Sequence, residues 1–192
     1  TGRKFFVDRS GPNVLMRYAD SEEVYALLVS IGPGGDEYFR NDVGRVVLRI
    51  KEQRANGILF AQGDRAGAPV RIAADTSPIL PPETPANLAE GVMLIERELA
   101  DVIGANLSIQ IDDSLKQDAN WALEAAQTIA RGVARAESHN ATRLRTIVLQ
   151  LADTPAAQLN GTNLTVSISP DRGYAGRVSS EFIADMILRY YK

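Results

Sequence analysis

Residues 84–103 read TPANLAEGVMLIERELADVI and separate two halves of the chain that have different patterns. Thr84 and Pro85 predict a helix start, because threonine accepts hydrogen bonds from first-turn amides and proline suits the first helical position. Apolar residues then recur at steps of three and four and form one stripe: Leu88, Val92, Ile95, Leu99 and Val102. Gly104 predicts the helix end, since glycine readily adopts the left-handed conformation. We therefore expect a linking amphipathic helix, whose stripe covers an apolar surface that the first half can supply.

The composition indicates a globular protein with one large domain or two small ones. The 192 residues are 45% apolar and carry a net charge of -3, without the basic excess typical of nucleic-acid binders. No run approaches the roughly 20 apolar residues that span a bilayer. The sequence has no cysteine, which excludes disulfides, thiolate metal sites and cysteine nucleophiles. The chain begins at Thr1, as expected of a secreted protein whose leader has been removed, and equally of a trimmed chain.

Residues 1–80 alternate short apolar runs with turn signals. The runs that predict extended segments are 4–8, 14–18, 23–29, 37–40, 45–50, 58–60 and 70–72. The run 23–29 also fits a short helix. Asn56 and Gly57 predict a hairpin turn, and residues 63–67 predict another turn. Strands at this spacing predict an antiparallel β-rich part, either a meander that forms a curled sheet or a small barrel.

Residues 84–192 alternate helix and strand and predict an α/β part. Helices are expected at about 85–103, 115–137 and 178–190, and strands near 106–111, 144–151 and 164–168. The strand 144–151 is apolar on both faces toward its end, which predicts a central position. After the first helix the order is β-α-β-β-α, so we expect a two-layer part with two helices on one face of a three-stranded sheet. The chain as a whole is predicted to be α+β.

Residues 170–180 hold the main candidate for a binding site. Gly173 and Gly176 allow close approach to the backbone, and Arg177 adds a fork of donors just before the amides of a helix start. This order of strand, glycine loop and helix suits an anion cradle. However, no Walker lysine follows, and the spacing fits neither a P-loop nor the dinucleotide fingerprint. The sequence favours the plainer alternative, an ordinary loop with a capped helix.

Other polar residues have plain structural interpretations. His139, the only histidine, follows a helix in a polar stretch, and we expect it to be solvated near the helix end. Asp112 and Asp113 are expected to cap a helix, because the loop lacks the further acidic residues of a calcium site. No Gly-x-Ser-x-Gly elbow is present. We therefore predict no catalytic residue, no metal site and no cofactor.

Two charged clusters remain. A basic patch for an anionic partner could form from Arg131, Arg135, Arg143 and Arg145, partly neutralised by Glu124 and Glu137. An acidic cluster of Asp36, Glu37 and Asp42 falls on turn-like sequence. We expect this acidic cluster only to solvate a hairpin.

Four segments carry a resemblance to a known family. They are residues 8–11 (DRSG), 18–27 (YADSEEVYAL), 35–49 (GDEYFRNDVGRVVLR) and 170–180 (PDRGYAGRVSS). The chain resembles an uncharacterised family of alphaproteobacterial proteins, a domain of unknown function usually made with a secretory leader. This resemblance implies an envelope location, periplasmic or secreted, and assigns no catalytic residue.

Three functional hypotheses follow. The first is a non-enzymatic envelope protein, a binding or structural module whose partner is a protein or another envelope component and not nucleic acid. The second is a small enzyme acting on an anionic substrate, which requires Arg177 and either Asp171 or Asp112 to meet in a deep pocket. The third is an assembly domain, because the β-α-β-β-α order resembles K-homology-like modules, including those of secretion-system rings. The sequence lacks the Gly-x-x-Gly loop of their nucleic-acid-binding members, and it leaves the oligomeric state open.

Overall fold

In the computed structural model, which describes residues 4–51, 56–60, 66–71, 73, 78–136 and 138–192, the chain divides into two units. The first unit is Thr1–Leu80 and the second is Pro81–Lys192. The first carries an antiparallel sheet and the second a mixed sheet with helices, so the predicted α+β class is confirmed. In the part of the chain that the structure describes, no helix combines the length and apolar character needed to cross a bilayer.

Seven strands build the first unit, and each pairs antiparallel with the next one along the chain. They are β1 (Phe5–Asp8), β2 (Val14–Tyr18), β3 (Val24–Ile31), β4 (Glu37–Arg40), β5 (Val46–Ile50), β6 (Asn56–Leu59) and β7 (Ala68–Arg71). A 3-10 turn, Pro33–Gly35, joins β3 to β4. The expected meander is therefore confirmed, and the segment that also fitted a short helix is the strand β3.

Apolar side chains on one face of this sheet form its core. They are Met16, Tyr18, Leu27, Phe39, Leu48, Ile50 and Leu59. The sheet is curled, and Arg9, just after β1, donates a hydrogen bond to Glu37 in β4 at 2.8 Å, across the two strands that lie between them. The Arg9 guanidinium also lies 5.1 Å from the centre of the Phe39 ring and so covers the core.

Asp8, at the end of β1, forms hydrogen bonds with Ser10 in the following turn and with Ile79. Its carboxylate accepts hydrogen bonds from the Ser10 hydroxyl at 2.7 Å, the Ser10 amide at 2.8 Å and the Ile79 amide at 2.8 Å. These donors, the Ser10 hydroxyl first, hold the pKa of Asp8 below its ordinary value. The carboxylate is therefore charged at neutral pH and ties residue 79 to the first strand.

One turn assignment in the first unit is wrong, and another is largely untested. Asn56 and Gly57 do not form a hairpin turn but belong to β6, where a Cβ on Gly57 would lie 2.7 Å from the Arg49 carbonyl oxygen. This glycine is therefore needed for close packing against β5. The turn expected at residues 63–67 lies largely outside the described residues, and so does Ile72.

The acidic cluster of the first unit forms ion pairs rather than only solvating a hairpin. Asp36, which is buried, accepts a hydrogen bond from Arg49 at 2.7 Å. Glu37 accepts from Arg9, as described above. Asp42 is exposed in the turn that joins β4 and β5. Two of the three carboxylates thus link separate strands.

The second unit begins with helix α1 and continues with a sheet. The helices are α1 (Leu88–Ile103), α2 (Ala119–Arg135), the short α3 (Ser138–Ala141) and α4 (Ser180–Tyr190). The strands are β8 (Ser108–Ile111), β9 (Thr146–Leu151), β10 (Ala156–Asn160) and β11 (Asn163–Ile168). Two 3-10 segments, Asp113–Asp118 and Pro170–Gly176, precede α2 and α4.

The sheet of the second unit has four strands in the order β10-β11-β9-β8. β9 is central, as predicted, and pairs parallel with both β8 and β11. The expected three-stranded sheet is wrong because β10 was missed. Its sequence, AAQLN, contains no β-branched or aromatic residue, so local propensity gives little strand signal. Pairing with β11 through the turn at Gly161 makes it a strand.

One face of this sheet is apolar and packs against the helices. Buried residues alternate along the strands, as in Ile147 and Leu149 of β9 and Leu164, Val166 and Ile168 of β11. They share one core with the buried faces of the helices α1, α2 and α4. The opposite face carries Ser108, Gln110 and Gln150, which are exposed. This arrangement gives the two-layer architecture expected from the sequence.

Helix α1 differs from its sequence prediction at its start and along its stripe. The N-cap is Asn87, whose side chain accepts from the Glu90 amide, and not Thr84. Gly104 ends the helix with φ of 70°, as predicted. The buried residues are Val92, Ile95, Leu99 and Ile103, whereas Val102 is 61% exposed. This stripe packs in the core of the second unit, which itself supplies the apolar surface that we expected from the first half.

Gly132→Ala is predicted to destabilise the second unit, because the added Cβ would meet the Ile183 Cβ at 2.6 Å and the Ser180 carbonyl oxygen at 2.7 Å. We expect a loss of about 1–3 kcal/mol, typical of overpacking, measured by urea unfolding followed through tryptophan fluorescence.

Gly91→Ala is the matched control for this prediction. It also adds a methyl group to a helical glycine, but the new Cβ meets only the flexible end of the Leu123 side chain at 2.8 Å. The gain in helix propensity offsets this contact, so we expect little change. Equal stability of the two variants would contradict the close approach of α2 and α4.

Candidate functional site

The candidate anion-binding residues lie around the 3-10 segment Pro170–Gly176. The segment closes on itself, because the Ser169 amide donates to the Gly176 carbonyl at 2.7 Å. A Cβ on Gly176 would lie 1.9 Å from the Ser169 carbonyl oxygen, so only glycine fits. Gly173 has φ of 56°, a backbone conformation that favours glycine, and lies beside Trp121. Both glycines are therefore explained by the geometry of the loop itself.

Arg177 points into the second unit and pairs with a carboxylate on α2. Its Nη2 donates to Glu124 Oε1 at 2.7 Å, and its Nε contacts Glu124 Oε2. The two residues are 8% and 7% exposed. The Thr128 hydroxyl, one turn along α2, donates to the same Glu124 Oε1 at 3.3 Å. This two-pronged contact compensates for much of the cost of removing both charges from water.

Aromatic rings extend this contact. The Arg177 guanidinium lies 5.6 Å from the centre of the Tyr174 ring. Tyr174 in turn packs edge-on against Trp121 of α2, with 5.1 Å between ring centres. The loop is therefore held to α2 at two points. Tyr174 makes an aromatic contact with Trp121, and Arg177 makes an ionic contact with Glu124. We call these four residues the loop clamp.

The start of α4 also has internal partners. The Ser179 hydroxyl accepts from the Phe182 amide at 3.1 Å, which confirms the predicted cap. The Ser180 hydroxyl accepts from Arg135 at 2.6 Å and joins α4 to the last turn of α2. Glu181 is 5% exposed. Buried polar groups thus line the contact between α2 and α4.

Gly173, Gly176 and Arg177 lie close together, as the sequence predicts. The Arg177 guanidinium, however, points inward and is buried. A small anion reaching Arg177 would have to share it with Glu124 or displace that carboxylate. Anion binding at these residues stays a prediction. For the enzyme hypothesis, Arg177 is buried, while Asp112 and Asp171 are exposed.

Asp112 acts as the predicted cap, although the element that it caps is the 3-10 segment before α2. Its carboxylate accepts from the Ser114 amide at 2.9 Å. Hydrogen bonds from the Ser114 side chain and amide hold the pKa of Asp112 below its ordinary value. Within the described residues, no group of three or more histidine or carboxylate side chains could hold a metal ion.

Three arginines of the expected basic patch, Arg135, Arg143 and Arg145, have separate partners. Arg135 donates to Ser180, Arg143 lies 4.3 Å from the centre of the Tyr191 ring, and Arg145 donates to the Thr142 carbonyl at 2.6 Å. Glu124 does not neutralise the patch, since it is buried against Arg177. Glu137 and the side chain of His139 lie outside the described residues.

Sequence reasoning assigned Glu124 to the basic patch and missed its pairing with Arg177. Glu124 lies on the buried side of α2, between Ala122 and Ala125 and one turn before Thr128. A carboxylate on an alanine-rich helix face was the available signal, because a buried charge needs a partner of opposite sign. Without the fold, that partner could not be chosen among the many arginines of the chain.

Fold and site together define the class: a two-unit α+β protein, with a seven-stranded antiparallel meander and a four-stranded mixed sheet under a helical layer. The loop clamp joins the last 3-10 segment to that helical layer. The family described as "Domain of unknown function (DUF4908)" matches residues 1–187, and the chain belongs to this family. The resemblance is thereby confirmed as far as a domain of unknown function. Comparisons with curated proteins and with solved structures gave no match.

Breaking the clamp at one side is predicted to destabilise the second unit strongly. Glu124→Gln leaves the Arg177 charge buried without its carboxylate, and we expect a loss of about 3–5 kcal/mol. Because Trp121 is the only tryptophan and belongs to the clamp, its fluorescence reports the unfolding directly.

Arg189→Gln is the control, since Arg189 pairs with Asp185 at 3.9 Å on the surface and is 79% exposed in its side chain. It is expected to leave the unfolding midpoint nearly unchanged. The double variant Glu124→Gln with Arg177→Met should recover part of the loss, because it removes both charges. A Glu124→Gln variant as stable as Arg189→Gln would refute a stabilising clamp.

Proposed function

We propose that the chain is a non-enzymatic module of the cell envelope that acts by binding another protein or envelope component. The observation that carries this proposal is an exposed aliphatic strip on β3, formed by Leu28, Val29 and Ile31. Leu28 is 71%, Val29 40% and Ile31 67% exposed. Single exposed apolar residues are common, but three such residues within four positions of one strand favour an interaction surface.

The position of the strip supports binding by shape. It occupies the second half of β3, beyond the buried residues Val24 and Leu27. Leu28 lies opposite Arg40 of β4, and Ile31 lies opposite Glu37. Because successive residues of a strand point to opposite faces, the strip offers aliphatic groups on both faces of the hairpin. Such a hairpin can enter a groove on a partner.

The envelope location is supported by the family resemblance of residues 8–11, 18–27, 35–49 and 170–180. The resembled proteins are usually made with a secretory leader, which directs the protein out of the cytoplasm. A periplasmic or secreted protein meets envelope components directly. Location and exposed strip together favour a structural or binding role over catalysis.

In the experiment, the native gene is expressed with a photo-crosslinking amino acid at position 31 of the protein. We expect osmotic shock to release the protein together with a periplasmic marker. Irradiation of whole cells should give a discrete crosslinked species, and adding Leu28→Glu should remove it, because a buried carboxylate at that contact is costly.

Val102→Glu is the matched control, since Val102 is an exposed aliphatic residue on α1 in the second unit. It should leave the crosslink unchanged. Retention of the protein with a cytoplasmic marker would refute the envelope location. A crosslink that persists in the Leu28→Glu variant would refute the role of the strip.

A further inference from the structure

A groove in the second unit lies between α1, β8 and the 3-10 segment Asp113–Asp118. Its volume is about 500 Å³, and its lining includes Leu88, Val92, Met93, Glu96, Ile111 and Lys116. The groove is mostly apolar, with one carboxylate and one ammonium group. Met93 is 59% exposed on the surface of α1. These features describe a preformed slot with an aliphatic wall.

The floor of the groove is an open strand edge. β8 is the outermost strand of its sheet, and the amides of Ser108 and Asp112 donate to the β9 side, to Arg145 and Leu149 carbonyls at 2.9 Å each. In a strand, alternate residues direct their backbone groups to opposite sides. The backbone groups of Ile109 and Ile111 therefore point away from β9, toward the groove.

Glu96 occupies one of these edge positions. Its Oε1 accepts a hydrogen bond from the Ile109 amide at 2.6 Å, where the carbonyl of a neighbouring strand would otherwise lie. Such a side chain limits unspecific edge pairing at that position. Ile111, two residues further on, keeps its outward backbone groups for an added strand.

Charge distinguishes the two ends of the groove. α1 and β8 are joined by a short connection and run in opposite directions, so Ile111 lies near the first turn of α1. Lys116 lines the same end, and the first-turn amides add partial positive charge. Lys116 also forms an ion pair with Asp113, but both side chains are exposed, so this pair contributes little free energy. This end favours a carboxylate, whereas Glu96 disfavours one further along.

We propose that this groove binds an extended segment of a partner protein, which adds as a strand to the β8 edge. An aliphatic side chain of the segment packs among Leu88, Val92 and Met93, and an acidic side chain of the segment meets Lys116. Main-chain hydrogen bonds to Ile111 supply affinity that does not depend on sequence, and the two side chains supply specificity. The inference rests on the proposed binding function and names the class of partner.

The test selects a phage-displayed library of random decapeptides on the purified full chain. Enriched peptides should alternate apolar and polar residues and carry one acidic residue. The best peptide is then made with a fluorescein label and with glutamate, glutamine or lysine at the acidic position. We expect fluorescence anisotropy to rank glutamate first and lysine last, and Lys116→Glu to reverse that order.

Met93→Glu and Leu94→Glu form a matched pair on adjacent positions of α1. Both residues are more than half exposed, but only Met93 lines the groove. Met93→Glu should weaken peptide binding by about tenfold or more, because the apolar contact that the bound peptide makes with Met93 is lost. Leu94→Glu should leave the dissociation constant unchanged. Amide resonances of Ile109 and Ile111 should shift when the peptide is added.

Failure to enrich any peptide, or equal effects of the two variants, would overturn the proposal. A dimer in sedimentation that Met93→Glu dissociates would also overturn it, since a second copy would then fill the groove. These measurements use purified protein and do not involve the β3 strip. A failure here therefore leaves the envelope location and the β3 crosslink to be judged separately.

Discussion

The apolar face of the four-stranded sheet must be covered, and this requirement organises the second unit. Residues such as Ile147, Leu149 and Val166 are almost completely buried, and the helices α1, α2 and α4 supply apolar surface that covers them. Burial of this kind is the main favourable contribution to folding. The helices differ in what they add: α2 and α4 pack closely at Gly132, whereas α1 borders the outermost strand β8. The groove lies where α1 covers the face of β8 and, through Glu96, the edge at Ile109, but leaves the edge at Ile111 open.

The loop clamp holds the 3-10 segment Pro170–Gly176 against α2. Burying Arg177 and Glu124 removes both charges from water, which is costly, and their hydrogen bond and close ion pair compensate for much of that cost. Tyr174 and Trp121 add an aromatic contact. The same residues that resemble an anion cradle in sequence thus have an internal anion, the Glu124 carboxylate. An arginine before a helix start is compatible with either role, and burial distinguishes them.

Features that depend on a local pattern could be predicted from the sequence. They are the α+β class, the antiparallel meander, the central position of β9 and the caps Gly104, Asp112 and Ser179. Other features depend on tertiary contacts. At the start of α1 two local signals compete, and the helix begins after Asn87, whose side chain caps the Glu90 amide, and not at the proline at position 85. β10 is a strand only through its pairing with β11. Gly57 resembles a turn residue but is required by the nearby Arg49 carbonyl oxygen. Glu124 becomes part of a site only when the fold brings Arg177 to it.

The most direct test of this account is hydrogen exchange measured by NMR on the amides of β8 and β9 in the full chain. If α1 covers the face of β8 and leaves its edge open, the Ile111 amide should exchange fast. The Ile109 amide, bound to Glu96, should exchange more slowly, and the central Ile147 amide most slowly of the three. An Ile111 amide protected as strongly as that of Ile147 would show that the edge is covered and would contradict the account.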